Sequence, residues 1–300
     1  MRVLVTGAFG FVGRAVVRRL ADAGHEVWAL SSRATGAAGL PAARVLRADV
    51  RDAAALAPAL QGVAAVCHLA ALTRGYESAA RPDDYRSVNL GGTAALLAAL
   101  RARGGDRPQV VFGSTAAVYG APEHGPIDER TEPAPGNPYG ASKLASEEAL
   151  REAAGAGEIS AAVLRCFNAV GRDDTDEARI VPRALAVAAG RHPYLELNGD
   201  GSVVRDFVHV DDIAEAYLRA LAAGPVLAGH GGFRVWNVGA TPASMREVVA
   251  AVERVTRPAV PVGPRPAPAA RPPPGGPRPR EPGPRPRHGG PAGPDQRPAA

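Results

Sequence analysis

The sequence predicts an α/β fold: a doubly wound parallel sheet, a smaller C-terminal lobe and a disordered tail. Through about residue 113, short β-branched or apolar runs alternate with longer runs rich in Ala, Leu and Arg. Such alternation is typical of βαβ units, in which helices cover both faces of a parallel sheet. A glycine-rich turn after the first strand and an abrupt change of composition after Val262 complete the prediction.

The predicted elements follow the order that such a fold needs. Apolar runs predict strands at 2–6, 26–30, 44–47, 64–69, 109–113 and 161–165. The longer stretches between them predict helices at 11–23, 52–60, 82–102 and 138–154. Gly and Pro then break the pattern between 171 and 203, which indicates the start of the smaller lobe.

The first strand runs directly into the turn TGAFGFVG at residues 6–13, which opens the first predicted helix. Its three glycines permit the tight turn, the approach of backbone to a pyrophosphate, and close packing of helix on strand. Free N–H groups at the positive helix end then meet the phosphates. The pattern predicts a Rossmann domain that binds NAD(P). The residues predicted to contact the cofactor there are Gly7, Phe9, Gly10, Phe11 and Gly13.

The second strand of a Rossmann domain normally ends in an acid that holds the adenosine ribose of NAD. Here the strand ends in Ser31-Ser32-Arg33. An arginine at this point can meet the 2′-phosphate of NADP, and it can equally be a solvated side chain in an arginine-rich protein. NAD and NADP both stay open on this observation.

We divide the chain into three parts. Residues 1–167 form the NAD(P)-binding domain, to which 204–240 return, and 168–203 with 241–262 form the substrate-binding lobe. The segment 263–300 consists almost entirely of Pro, Arg, Gly and Ala. Such a segment cannot bury enough apolar surface to offset its chain entropy, so we predict that it is disordered.

The excess of positive charge lies in this tail. The formal net charge is +5, and from Arg257 to Ala300 eight arginines face two acids, so the rest of the chain is close to neutral. The tail has no aromatic residue for base stacking, which argues against specific nucleic-acid binding.

No signal peptide and no membrane-length apolar run occurs, so we expect a cytoplasmic protein without a membrane partner. Cys67 and Cys166 lie in apolar runs without metal-ligand spacing, which predicts buried thiols and no metal site.

Lys143 is the single lysine among 35 Lys+Arg residues, and it follows Tyr139 by four positions in the predicted helix 138–154. A G+C-rich gene by itself exchanges most lysines for arginines, and Tyr-x-x-x-Lys is a common surface pair. An ammonium one helical turn from a phenol can, however, hold that phenol near ionisation. The pair therefore points to base chemistry.

Further motifs follow in order along the chain. They are HLAA at 68–71, VFGSTAAVYG at 111–120, LRCFNAVG at 164–171, RDFVHVDD at 205–212 and WNVG at 236–239. With the glycine turn and the Tyr–Lys pair, they make residues 1–262 resemble the extended short-chain dehydrogenase/reductase superfamily. Within it, the chain is most similar to the NAD-dependent epimerase/dehydratases of the UDP-glucose 4-epimerase type.

The resemblance implies a nucleotide-sugar 4-epimerase that oxidises the sugar transiently at C4 with bound NAD. It implies Tyr139 as the base and Lys143 as the group that binds the nicotinamide ribose and lowers the pKa of the tyrosine. Thr115 then bonds the reacting sugar oxygen, and Ser114 lies beside it as a second hydroxyl. The dehydratases of the family carry an acid where this chain has Ala116, which favours epimerisation.

Other positions carry over from the same resemblance. Asp49 is similar to the acid that bonds the adenine amino group, or it caps a strand or helix end. Asn168 and Arg205 correspond to residues that hold the substrate pyrophosphate, although Arg205 can equally form an ion pair between lobes. A homodimer through helices 82–102 and 138–154 is also implied. The remaining cofactor contacts implied are Val50, Leu69, Ala70, Ala71 and Asn89, the last as a structural asparagine.

The tail departs from the family. There, an Arg-Pro-Gly-Asp motif and a helix bind the nucleotide diphosphate, whereas here the tract from 263 onwards continues in Pro, Arg, Gly and Ala. G+C-rich DNA read out of frame has this composition, so we hypothesise a frameshift near codon 265, which retranslation in the other two frames tests. Two alternatives stay open. Ser31-Ser32-Arg33 leaves an NADP-dependent nucleotide-sugar reductase or dehydratase, and the aberrant tail leaves a catalytically impaired cofactor-binding protein.

Overall fold

The centre of the molecule is a seven-stranded parallel sheet. The computed structural model describes residues 1–32, 39–105, 107–122, 126–224, 227 and 231–264. The strands are β1 (Arg2–Thr6), β2 (Glu26–Ser31), β3 (Arg44–Arg47), β4 (Ala65–His68), β5 (Gln109–Thr115), β6 (Ser160–Cys166), β7 (Asn168–Val170), β8 (Leu195–Leu197), β9 (Val204–His209), β10 (Phe233–Val238), β11 (Thr241–Ser244) and β12 (Val262–Pro264). The order in the main sheet is β10-β6-β5-β4-β1-β2-β3, which confirms the predicted doubly wound fold.

Helices cover both faces of this sheet. They are α1 (Phe11–Asp22), α2 (Ala53–Leu56), α3 (Gly75–Ser78), α4 (Pro82–Tyr85), α5 (Gly92–Arg103), α6 (Pro138–Gly155), α7 (Ile180–Ala188), α8 (Val210–Ala222) and α9 (Met245–Thr256). Successive side chains of a strand point to opposite faces, so β1 supplies Val3 and Val5 to one core and Leu4 to the other. The first core also takes buried residues of α1 and α8, and the second takes those of α2, α5 and α6.

The smaller lobe has a core of its own. In it, β11-β9-β7 form one sheet and β12-β8 a second, while α7 packs against α9. Its buried apolar residues are Ala184, Val187, Leu195, Leu197, Val249, Val252 and Val260. The strand β9 pairs with β7 and β11. The next two elements return to the main sheet: α8 packs on it, and β10 pairs with β6.

The start of the predicted disordered tail needs correction. The strand β12 includes Gly263 and Pro264, which pair with Glu196 and Leu197. Backbone pairing needs no aliphatic side chain, so the composition did not reveal it. The rest of the predicted tail, residues 265–300, lies outside the described residues.

Two predicted helices are interrupted. The prediction of one helix over 82–102 is wrong, because a π-helical turn, Arg86–Gly91, separates α4 from α5. The carbonyl of Asn89 in this turn accepts hydrogen bonds from the hydroxyls of Thr93 and Ser146, which compete with regular helical bonding. In 52–60, α2 gives way to a 3-10 turn that contains Pro58, a residue without an N–H donor.

Candidate functional site

The glycine turn leaves room for a ligand because it carries no side chains at the decisive positions. Gly7 has φ of +67°, and a Cβ there would lie 2.7 Å from the backbone nitrogen of Ala70. A Cβ on Gly13 would collide with the carbonyl of Gly7. No side chain caps α1 at Gly10. The N–H groups of its first turn are therefore available to a phosphate, at the positive end of the helix.

A cavity of about 550 Å³ lies beside this turn, lined in part by Phe9, Gly10 and Phe11. The guanidinium of Arg179 also lines it, 5.1 Å from the centroid of the Phe11 ring and paired with Asp174 at 3.0 Å. The other carboxylate oxygen of Asp174 is buried and has no hydrogen-bond partner within the described residues. The cavity therefore offers a cation for an anionic ligand.

The turn after β4 is held against the glycine turn. The hydroxyl of Thr6 accepts hydrogen bonds from the backbone N–H groups of Leu69 and Ala70, both at 3.1 Å. The amide of Asn89 accepts from the N–H of Leu72 at 2.8 Å and donates to its carbonyl and to Ser142. The side chain of Asn89 is thereby committed to positioning the loop that follows β4, which includes Ala71.

The three residues predicted to perform the chemistry meet at the carboxyl end of the sheet. Thr115 ends β5, and Tyr139 and Lys143 lie on the first two turns of α6, which Asn137 caps. Burial raises the pKa of the Tyr139 phenol to about 12, and the neighbouring hydroxyl of Thr115 opposes this shift. The phenol is therefore protonated at neutral pH in this structure.

The ammonium of Lys143 is almost completely enclosed, since the residue is 3% exposed. Its Nζ lies 4.3 Å from the centroid of the Phe112 ring. Burial lowers the pKa of Lys143 to about 8, against the charge of Glu147, which raises it. The neighbouring ring of His68 is kept neutral, because burial and the Lys143 charge lower its pKa to about 3.

Ser114 is placed differently from Thr115. Its hydroxyl donates to the carboxylate of Glu147, which also pairs with Arg165 at 2.6 Å. All three side chains are buried. The Ser114 hydroxyl is therefore engaged inside the protein rather than facing the cavity. Glu147 was missed by the sequence analysis, although its position four residues after Lys143 was a usable signal.

The predicted contacts to adenine and ribose fall partly outside the described residues. Arg33 is among the residues that the structure does not describe. The carboxylate of Asp49 accepts hydrogen bonds from Arg51, which lower its pKa, and its side chain keeps 42% exposure. It does not cap α2, because Asp52 does. Val50 is buried beside Gly92.

The predicted substrate residues lie on exposed strand positions of the smaller lobe. Asn168 donates from Nδ2 to the carbonyl of Asp206 at 2.8 Å. The guanidinium of Arg205 donates to the carbonyl of Val204 at 2.9 Å. Within the described residues it forms no ion pair, so the alternative of an ion pair between lobes is not realised there. Arg14 and Arg179, which both line the cavity beside the glycine turn, were not predicted from the sequence. Arg14 directly follows Gly13 of that turn, whereas Arg179 has no local signal.

A family model described as the NAD dependent epimerase/dehydratase family matches residues 3–239. The chain belongs to this family. A UDP-glucose 4-epimerase of Streptomyces lividans is 39% identical over 272 residues, which are 85% of this chain and 81% of the relative. The epimerase/dehydratase resemblance inferred from the motifs is thereby confirmed.

Solved structures agree with this membership of the epimerase/dehydratase family. A UDP-glucose 4-epimerase of Brucella ovis in complex with NAD has a TM-score of 0.81 and 34% identity, covering 91% of this chain and 88% of that one. One from Stenotrophomonas maltophila, with bound NAD and formylated UDP-arabinopyranose, has a TM-score of 0.79 and 32% identity, covering 88% and 86%.

NAD, the cofactor of the epimerase/dehydratase family, fits the residues present. The glycine turn, the uncapped start of α1 and the buried ammonium of Lys143 suit a diphosphate and a ribose. Among the described residues, no cluster of His, Cys, Asp or Glu could hold a metal ion. No helix in the described part of the chain has the length and hydropathy of a membrane span.

Proposed function

We propose that the protein is a nucleotide-sugar 4-epimerase that interconverts UDP-glucose and UDP-galactose. The observation that carries this proposal is the Thr115–Tyr139–Lys143 set beside the glycine turn, in a chain whose relatives are UDP-glucose 4-epimerases. We further propose that 1–167 with 204–240 hold the cofactor, and that 168–203 with 241–262 hold the sugar nucleotide. Asn168 would contact its pyrophosphate, together with Arg205 on the neighbouring strand β9. Localisation in the cytoplasm stays a prediction.

When bound, NAD supplies a group that takes hydride from the sugar and returns it. The protein moves the proton: the Tyr139 oxygen accepts it from the sugar hydroxyl, and Thr115 bonds the same oxygen as its charge develops. A phenol with a pKa of about 12 is a weak base at neutral pH, so positive charge nearby is required. Lys143, which with a pKa of about 8 is mostly charged at pH 7, supplies part of this charge. The nicotinamide of bound NAD would supply the rest, because the pKa of about 12 for Tyr139 already includes the effect of Lys143.

The direct test is conversion of UDP-glucose and UDP-galactose by the wild type and by Tyr139→Phe. Without the phenolic oxygen, proton transfer is lost, so kcat should fall at least about 100-fold. Tyr194→Phe is the matched control, because Tyr194 is partly exposed in the smaller lobe and should leave kcat unchanged. Undiminished conversion by the Tyr139 variant would exclude this mechanism.

The purified protein also distinguishes the proposal from the NADP-dependent alternative. An epimerase returns its hydride within each turnover, so it should carry NAD and need none added. Denaturing the protein and identifying the released nucleotide measures this directly. Release of NADP, together with consumption of added NADPH, would favour the reductase instead.

A further inference from the structure

We propose that Glu147 is a positioning residue that keeps the ammonium of Lys143 charged beside the carboxyl end of β5. Glu147 follows Lys143 by one helical turn on α6, and the mechanism above does not use it. This inference rests on the proposed function in one respect: the function explains why Lys143 must carry a positive charge.

The effect of Glu147 on the charge of Lys143 depends on the burial of both side chains. Glu147 is fully buried and Lys143 is 3% exposed. Residues four apart on a helix lie on the same face. An ammonium removed from water tends to lose its proton unless an opposite charge compensates it, and such compensation is stronger in a weakly polarisable interior. Glu147 places a carboxylate where that compensation is needed.

The carboxylate of Glu147 is held from two further strands. Arg165 on β6 donates from Nη2 at 2.6 Å and from Nε at 3.2 Å to both oxygens. The hydroxyl of Ser114 on β5 donates to Oε1. The guanidinium of Arg165 lies 4.8 Å from the centroid of the Tyr119 ring. These contacts hold the Glu147 carboxylate in place and connect it to Ser114, which is adjacent to Thr115 in β5.

The other groups that face Lys143 carry no compensating charge. Burial raises the pKa of Cys166 on β6 to about 12, so its thiol is neutral. The ring of His68 on β4 is neutral as well, because its pKa is lowered to about 3. Tyr139 on α6 is protonated, since its pKa is raised to about 12. Glu147 is therefore the anion that opposes the effect of burial on Lys143, whose pKa is about 8.

The composition of the chain allows a direct measurement. Lys143 is the single lysine, so protein labelled with ¹³Cε-lysine gives one resonance that needs no assignment. We expect the wild-type signal to titrate near pH 8 and the Glu147→Gln signal at a distinctly lower pH. Glu148→Gln is the matched control, because Glu148 is 53% exposed and should leave the titration unchanged. Titration of Glu147→Gln at the wild-type pH overturns the proposal.

Enzyme activity gives a second readout. In Glu147→Gln, kcat at pH 8 should fall about fivefold and should recover towards the wild-type value at pH 6, where the amine is again protonated. A merely structural residue would lower kcat equally at both pH values, and that result would also overturn the proposal.

A second variant covers the case in which Glu147→Gln does not fold. The double variant Glu147→Gln/Arg165→Gln removes the buried ion pair as a unit, so neither of its partners is left unpaired. Because the charge of Glu147 acts on Lys143 more strongly than that of Arg165, Lys143 in it should again titrate below the wild type. An unchanged titration in the double variant contradicts the proposal. Because the resonance does not depend on turnover, a shifted titration without any epimerisation would reject the proposed function and leave the role of Glu147 intact.

Discussion

At the scale of single residues, the proposed chemistry depends on an ammonium in a protein that otherwise uses arginine. Lys143 is the exception among 35 basic residues, and it lies where a compact charge fits under the Phe112 ring. A planar guanidinium is larger and holds its proton in almost any surroundings. The position therefore needs lysine for its size and for a pKa that burial can bring near 8.

The lowered pKa of Lys143 predicts how stability depends on pH. The folded protein resists protonation of this amine, so the amine destabilises the fold below about pH 8, and this penalty disappears as pH rises towards the unfolded value of 10.5. The penalty at neutral pH is about 3 kcal/mol. Denaturant unfolding of the wild type and of Lys143→Met should therefore differ most at pH 7 and converge by about pH 10.5. A difference that is independent of pH would contradict this assignment.

Residue patterns predicted Thr115, Tyr139 and Lys143 as a catalytic set, which stays a prediction, but they did not predict the surroundings of these residues. Thr115, Tyr139 and Lys143 belong to local motifs, and the sheet brings the end of β5 next to the start of α6. Arg179 reaches the cavity from a loop before α7, far away in sequence, so only the tertiary structure reveals it. The hydrogen bond from Ser114 to Glu147 could not be predicted from the sequence either, because it depends on which side of β5 faces α6.

At the scale of elements, the boundaries of β1 to β6 were predictable, whereas β7 to β12 and the break between α4 and α5 were not predicted. Strand predictions agree with the structure within two residues, because buried parallel strands form continuous apolar runs bounded by turn residues. At the π-helical turn Arg86–Gly91, the carbonyl of Asn89 accepts hydrogen bonds from Thr93, four residues later, and from Ser146 on α6. The second of these is tertiary, and no local pattern encodes it. That turn presents the Asn89 side chain to the loop after β4.

The contacts of Asn89 predict a coupled loss of stability and cofactor binding. In Asn89→Ala, the N–H of Leu72 loses its buried acceptor, which should lower the free energy of unfolding by about 1–3 kcal/mol. The loop at Leu69–Ala71 would also loosen beside the glycine turn, so the protein should retain less NAD on purification. Denaturant unfolding and the nucleotide content measure the two effects. Normal NAD content in the variant would show that the Asn89 side chain is not needed to hold the loop in place for cofactor binding.

At the scale of the whole molecule, we propose a homodimer formed through α5 and α6. The outward faces of these helices are available: Ala94 and Ala98 of α5 and Ala141 of α6 are exposed. Small side chains let helices of two subunits approach closely.

This proposal predicts a mass of twice the 30.8 kDa chain in sedimentation equilibrium. Ala98→Glu should reduce it to that of a single chain, because a charge would be buried at the interface. Ala54→Glu on the exposed side of α2 is the control and should leave the mass unchanged. A wild-type mass of one chain would contradict the proposal.

The position of β10 in the main sheet has a consequence for synthesis on the ribosome. The strand β10 pairs with β6, yet roughly 70 residues of the smaller lobe and α8 are made between them. At about 5–20 residues per second, the outer edge of β6 stays unpaired for several seconds while the lobe emerges. An open strand edge is a template for pairing with another chain. A nascent chain that stops before Phe233 therefore presents this edge to its neighbours, and a chaperone that acts in this interval has the β6 edge as its natural target.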